Sequence, residues 1–284
     1  MVFNSLSGIS GKTLWPILTQ GFMKHSFFST HRLSFLIPIL VLIVTLVGIL
    51  DQSIYNPRLN TIKSSELLGQ DFVSLIIGAL FIICLLFEND KFFIKVINLG
   101  ILTYFIYIYS YYCFSIISSC LFLLYIIIFS LSLFILLYKL NSVIKEYSQI
   151  DTNRYYPRKT ISFFFILAVI IMLVKELPYL VETTIIKNKS IILFDAFYIL
   201  DLSIVFPAMI IISIINLLDK PLSIILSGIV LVKLITLMPA LLFNDIFHFI
   251  KNGYFLDISF DIIATFFTLF SVSLLFLFKR GVNN

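Results

Sequence analysis

Apolar positions run along this chain in eight long blocks, roughly residues 33 to 50, 67 to 87, 92 to 113, 115 to 138, 161 to 181, 197 to 218, 222 to 243 and 262 to 278. Short polar stretches divide them. A membrane-crossing helix needs about 20 mostly apolar residues, and no block shows the alternation of a barrel strand. The pattern predicts an all-α fold, a polytopic transmembrane bundle of about eight spans. The longest connections, near 140 to 160, 182 to 196 and 244 to 261, are too short to hold a second domain. One membrane domain, 33–279, is expected between an N-terminal segment, 1–32, and a short tail, 280–284.

Composition agrees and sharpens the picture. Of 284 residues, 60% are hydrophobic and 12% charged, with a mean hydropathy of +1.08. A soluble domain carries about twice that share of charge, so the lipid bilayer is the expected solvent. The net charge of +5 would suggest nucleic acid in a soluble protein, but the basic residues sit in short loops, and no nucleic-acid partner is expected. Sorted by loop, thirteen Lys and Arg fall on the side of the N-terminus and six on the other. That bias predicts both termini in the cytoplasm. Abundant Ile, Phe, Lys and Asn point to an AT-rich prokaryotic genome, hence to a multi-pass protein of a prokaryotic cell membrane. The first 32 residues lack an h-region with a cleavage site, so no removable signal peptide is expected. Met23 offers an alternative start.

Cys84, Cys113 and Cys120 show no paired framework and read as small hydrophobes. Gly11, Lys12 and Thr13 resemble the end of a phosphate loop, but Leu6 stands where that motif needs glycine. His25 and His31 flank the first span. His248, with Asp245, Asp257 and Asp261, is too loosely spaced for a metal set and reads as a wet acidic loop. No cofactor fingerprint or hydrolase motif is present, and neither a cofactor nor a metal is expected. Oligomeric state is not legible.

The informative residues are charges inside the apolar blocks. Three blocks are too short to cross the bilayer unless extended to include Gln70 and Asp71, Lys175 and Glu176, and Asp201. Lys233 lies mid-block. Counted from the inner end at about 1.5 Å per residue, Lys233 falls near 18 Å and Asp71, Glu176 and Asp201 near 24 to 27 Å. Each charge costs about 2.5–3.5 kcal/mol at a helix centre, so these side chains are expected to meet in the outer half of the membrane. Tyr104 and Tyr107, at helical spacing on the third span, are placed to hydrogen-bond the acids. Tyr109, Tyr111 and Tyr112 read as an interfacial aromatic belt. Pro207, six residues after Asp201, is expected to free the Ser203 carbonyl beside the charged layer.

Two stretches, LLGQDFVSLIIGALF through FLLYIIIFSLSLF (67 to 134) and YILDLSIVFPAMIIISIINLLDKPLSIILSGIVLVKLITL (198 to 237), resemble a family of multi-span prokaryotic membrane proteins without an established activity. The resemblance implies a similar multi-helix fold in which Gln70, Asp71, Asp201, Pro207 and Lys233 match recurring polar positions. It supplies no function.

Three functional classes fit the residues. The first is binding or transport of a small polar solute or ion in an outer-leaflet cavity lined by Asp71, Asp201 and Lys233. The thick apolar inner half weighs against free conduction. The second is an enzyme acting on a lipid-linked substrate, with Asp71 or Asp201 as base, though the sequence offers no nucleophile. The third is a non-catalytic assembly or sensing subunit whose ion pairs only specify packing. The first is the leading expectation.

Overall fold

The computed structural model describes residues 32–55, 61–88, 91–115, 119–147, 156–182 and 196–282. Among these residues the architecture is helical, without strands beyond one isolated bridge between Tyr55 and Ser119. Eight helices are long and apolar enough to cross a membrane. They are α1 (Arg32–Leu50), α2 (Thr61–Leu86), α3 (Phe92–Phe114), α4 (Phe122–Tyr147), α5 (Arg158–Val181), α6 (Ala196–Leu217), α7 (Leu222–Asn252) and α8 (Ile258–Val282). The basic segments at His25, His31, Arg58, Arg154, Lys187 and Lys189 lie outside the described residues or their side chains do, as do Gly11 to Thr13.

Two boundaries differ from the sequence reading. α4 begins at Phe122 and continues to Tyr147, because Ser115 ends α3 in extended conformation and Cys120 and Leu121 form a turn immediately before α4. α7 runs to Asn252 without stopping at Pro239. Its final turns carry Asn244, Asp245 and His248, all buried, so polarity there marks protein-facing positions rather than a loop. The extensions of α2, α5 and α6 past Asp71, Glu176 and Asp201 are present.

The bundle is built around α3 and α7. Within their apolar windows 67% of α3 and 78% of α7 is buried, against 44% or less for every other span. α7 packs on α2, α3, α6 and α8; α3 packs on α2 and α4; α5 packs on the second half of α6. The remaining helices turn Leu, Ile and Phe outward, as at Ile39, Ile83, Phe134, Phe163, Ile211 and Phe276. Such faces suit hydrocarbon, which satisfies no backbone polar group and accepts helices alone or closed barrels. Eight apolar helices with such outward faces are compatible with an integral membrane protein.

Small residues set the closest approaches, as is general between membrane helices. At Gly69 on α2 an added Cβ would run into the Asn244 backbone and side chain on α7. Polar junctions fasten the two ends. At the end holding the α6–α7 turn, Asn216 Nδ2 donates to the Arg158 carbonyl and to Ser162 Oγ, each at 3.1 Å, and Ser223 Oγ donates to Asn216 Oδ1 at 3.0 Å. The same end carries ion pairs of Lys95 with Glu146 and Lys139 with Glu88, both at 2.7 Å. At the other end Lys251 Nζ, on α7, donates to Gln52 Oε1 at 2.7 Å and Ser64 Oγ at 3.0 Å, tying α7 to the α1–α2 connection.

Candidate functional site

The polar residues singled out by their position in apolar blocks separate into two groups on either side of α3. The first surrounds Asp71. This side chain is buried, and it accepts hydrogen bonds from the Tyr55 hydroxyl on Oδ2 and the Tyr112 hydroxyl on Oδ1, the latter at 2.8 Å. Gly48 leaves the room: a Cβ there would overlap Asp71 Oδ2 and the Tyr55 hydroxyl. Tyr109 stacks on Tyr112, and Tyr125 lies tilted against it. Tyr104 meets Ser74 at 2.9 Å instead of an acid. Gln70 is buried with neither amide atom hydrogen-bonded. Asp71 therefore has phenols as partners, and Lys233 is not among them.

The interfacial belt expected of Tyr109, Tyr111 and Tyr112 is not what the structure shows. All three are buried. Because α3 is central, its terminal turns are enclosed by α2, α4 and the α1–α2 connection, and the hydroxyls of Tyr111 and Tyr112 donate to Glu66 and Asp71.

The second group converges between α3, α5, α6, α7 and α8. Asp201 is the first residue of a π-helical turn, Asp201–Val205, inserted between the α-helical pieces Ala196–Leu200 and Phe206–Leu217 of α6. Pro207 stands in the first turn of the second piece. Its ring clashes with an i−4 carbonyl and it has no N–H to give. The wider turn absorbs both defects, with the Phe206 N–H bonding back to the Asp201 carbonyl. The local break expected from Pro207 thus takes the form of a π-bulge, a feature that is frequent at functional sites.

Tyr107 joins Asp201 to Lys233. Its hydroxyl donates to both carboxyl oxygens of Asp201 at 2.9 Å, and its ring face lies 4.0 Å from Lys233 Nζ. Among the described residues no direct ion pair within 4.0 Å connects Asp201 and Lys233; the phenol stands between them. Lys175 does not join this triad either. Its ammonium pairs with Asp257 Oδ2 at 2.8 Å and lies 3.4 Å from the Phe260 ring centroid. Asp257, in the α7–α8 connection, also accepts the Phe260 N–H at 3.0 Å. The Lys175 hydrogen bond, followed by that backbone N–H, holds its carboxyl below the ordinary carboxylate range.

Tyr107, Asp201, Lys175 and Asp257 line a cavity of about 490 Å³. Its rim is wet: Lys175 and Asp257 are 42% and 44% exposed. Its floor is dry: Glu176 is 9% exposed, and its Oε2 has no hydrogen-bond partner. Asn244 Oδ1, also buried, has none and packs against Gly69 on α2. Asp245 is occupied in structure, accepting the N–H groups of Leu256 at 2.6 Å and Asp257 at 3.2 Å. A smaller apolar cavity of about 40 Å³ shares Tyr107 and Asp201 with the large one and is lined by Lys233 as well.

Of the residues expected to form one site, Glu176, Lys175, Asp201, Lys233 and Tyr107 come together here, while Asp71, Gln70 and Tyr104 do not line either cavity. The sequence reading missed Glu66, Asn244, Asp245 and Asp261 as wall residues. Glu66 had a usable signal, since it stands one helical turn before Gln70. His248, read as a loop residue, is buried against Tyr254. Among the described residues no group of three His, Cys, Asp or Glu side chains is arranged to hold a metal ion.

Compared with known proteins, the chain matches no family model, no curated protein and no solved structure. Any functional reading rests on the geometry itself.

Proposed function

We propose that this protein binds, and transports, a small polar solute or ion, taken up in the cavity between α3, α5, α6, α7 and α8 on the face of the bundle that carries the α7–α8 connection. The observation that carries the reading is a buried carboxyl oxygen of Glu176, without a hydrogen-bond partner, facing a cavity of about 490 Å³. A buried polar atom left unpaired costs about 1–3 kcal/mol, a cost a bound partner would remove. Ionisable groups kept inside a membrane mark ligand and ion pathways by default, and Asp201 on its π-turn stands on the same floor.

The bias of Lys and Arg along the chain supports an outward orientation for this face. The small cavity at Lys233 is lined mainly by Val, Met, Leu and Phe, which closes the path toward the opposite face. Transport then requires α5 and α6 to shift against the α3–α7 core, with the solute held near mid-membrane.

The test is a thermal-unfolding screen of protein in lipid nanodiscs against small amines, carboxylates, sugars and inorganic salts. Binding raises the midpoint in proportion to ligand excess. One class is expected to give a saturable rise that Asp201→Asn abolishes. A flat response to all four classes sinks the reading.

A further inference from the structure

We infer that the solute is an organic ammonium ion: a positively charged nitrogen attached to an apolar or aromatic body. This deepens the solute-binding reading above and rests on it. The cavity wall holds six acidic side chains, Glu66, Glu176, Asp201, Asp245, Asp257 and Asp261, and a single basic one, Lys175.

An acidic wall alone would say little. The independent observation is one unsatisfied atom. Glu176 is nine-tenths buried, it lines the cavity, and its Oε2 has no partner. An ionised carboxyl only accepts. A ligand that completes it must bring donors, and an ammonium group brings up to three N–H donors with the complementary charge. A carboxylate or phosphate ligand would bring only more acceptors.

The two ammonium groups of the protein nearby offset only part of that charge. Lys175 is engaged by Asp257 and by the Phe260 ring at the rim. Lys233 lines the small cavity and not the large one, with the Tyr107 ring over its Nζ. The rest of the wall suits an organic body. Tyr107, Tyr179, Phe197 and Tyr198 line it, and ring faces attract cations. A volume of about 490 Å³ lies within the range of organic-ligand pockets, roughly 300–1,000 Å³. A bare metal ion is a poorer fit, because the carboxyl groups are spread around the wall and do not converge.

The probe is phenethylammonium chloride, compared at matched salt with 2-phenylethanol, which replaces the ammonium by a hydroxyl, and with 3-phenylpropionate, which reverses the charge. Protein in nanodiscs is expected to show a saturable rise in thermal midpoint with the amine alone. Glu176→Gln is expected to raise the half-saturating concentration about tenfold or more, the worth of one charge-assisted hydrogen bond. Asp201→Asn serves as a second variant should the first not fold. Equal responses to the amine and the alcohol, or a response to the carboxylate in place of the amine, overturn the inference and leave solute binding standing. An amine response unchanged in both variants overturns it as well, since the amine is then bound elsewhere. Silence toward all three probes and toward the wider screen takes down both readings together.

Discussion

Tyr107 carries two opposite electrostatic jobs on one side chain. Its hydroxyl offers a proton to the Asp201 carboxylate, while its ring presents a negative face to the Lys233 ammonium. The arrangement has a direction, so exchanging the charges does not preserve it. The double variant Asp201→Lys, Lys233→Asp puts an ammonium on the hydroxyl's donating proton and a carboxylate on the ring face. We expect that reversed pair to unfold at a lower temperature than the wild type, whereas two charges in direct contact would tolerate the exchange. Tyr107→Phe keeps the ring and removes only the donor, and should cost about 1–3 kcal/mol, read as a midpoint shift in nanodiscs. Asp201, Glu176 and Lys233 were legible in the sequence because charge inside an apolar block is conspicuous. The phenol between two of them was not: tyrosine is at home in such blocks, and nothing in a linear pattern says which of fourteen tyrosines turns its face to a cation. Asp71 shows the converse. Its depth was legible, but its partners come from Tyr55 in a connection and Tyr112 one helix away.

Among the elements, α6 departs most from ideal geometry. The π-turn at Asp201–Val205 adds one residue to the helical repeat just before Pro207. One extra residue rotates everything on its N-terminal side by about 100° relative to an uninterrupted α-helix. That rotation sets where Asp201 and Phe197 point. Pro207→Ala removes the steric reason for the wide turn. The expected outcome is a more stable protein in the absence of solute, together with loss of the solute-dependent rise in midpoint, because Asp201 swings off the Tyr107 hydroxyl. A variant that is stabilised and still responds would show that the bulge does not aim the side chain. The proline announced a break in α6, but its form depends on which carbonyls neighbouring helices accept, and that is tertiary information. In the same way the hydropathy pattern ends α7 at residue 243, since Asn244, Asp245 and His248 look like loop residues. In the centre of the bundle they are wall and core.

For the molecule as a whole, the number and order of spans were written plainly in hydropathy, because lipid imposes one rule on every helix. Which helices stand at the centre was not. All eight are apolar, and only packing separates α3 and α7 from the rest. Sidedness is open to a direct measurement. Cys120 is exposed, just before α4, on the face where the cavity opens, while Cys84 lies near the far end of α2. With Cys84 and Cys113 replaced by alanine, a membrane-impermeant maleimide should label Cys120 in intact cells. Labelling only after permeabilisation would put the cavity on the cytoplasmic side.

The knot of Asn216, Ser162 and Ser223 sits at the opposite end of α5, α6 and α7 from the cavity. Three helices pinned at one tip and parted at the other behave as the arms of a pair of tongs. Any enlargement of the gap that holds Glu176 must be a splaying of α5 and α6 from that pivot, largest at the rim and vanishing where the asparagine clasps its neighbours.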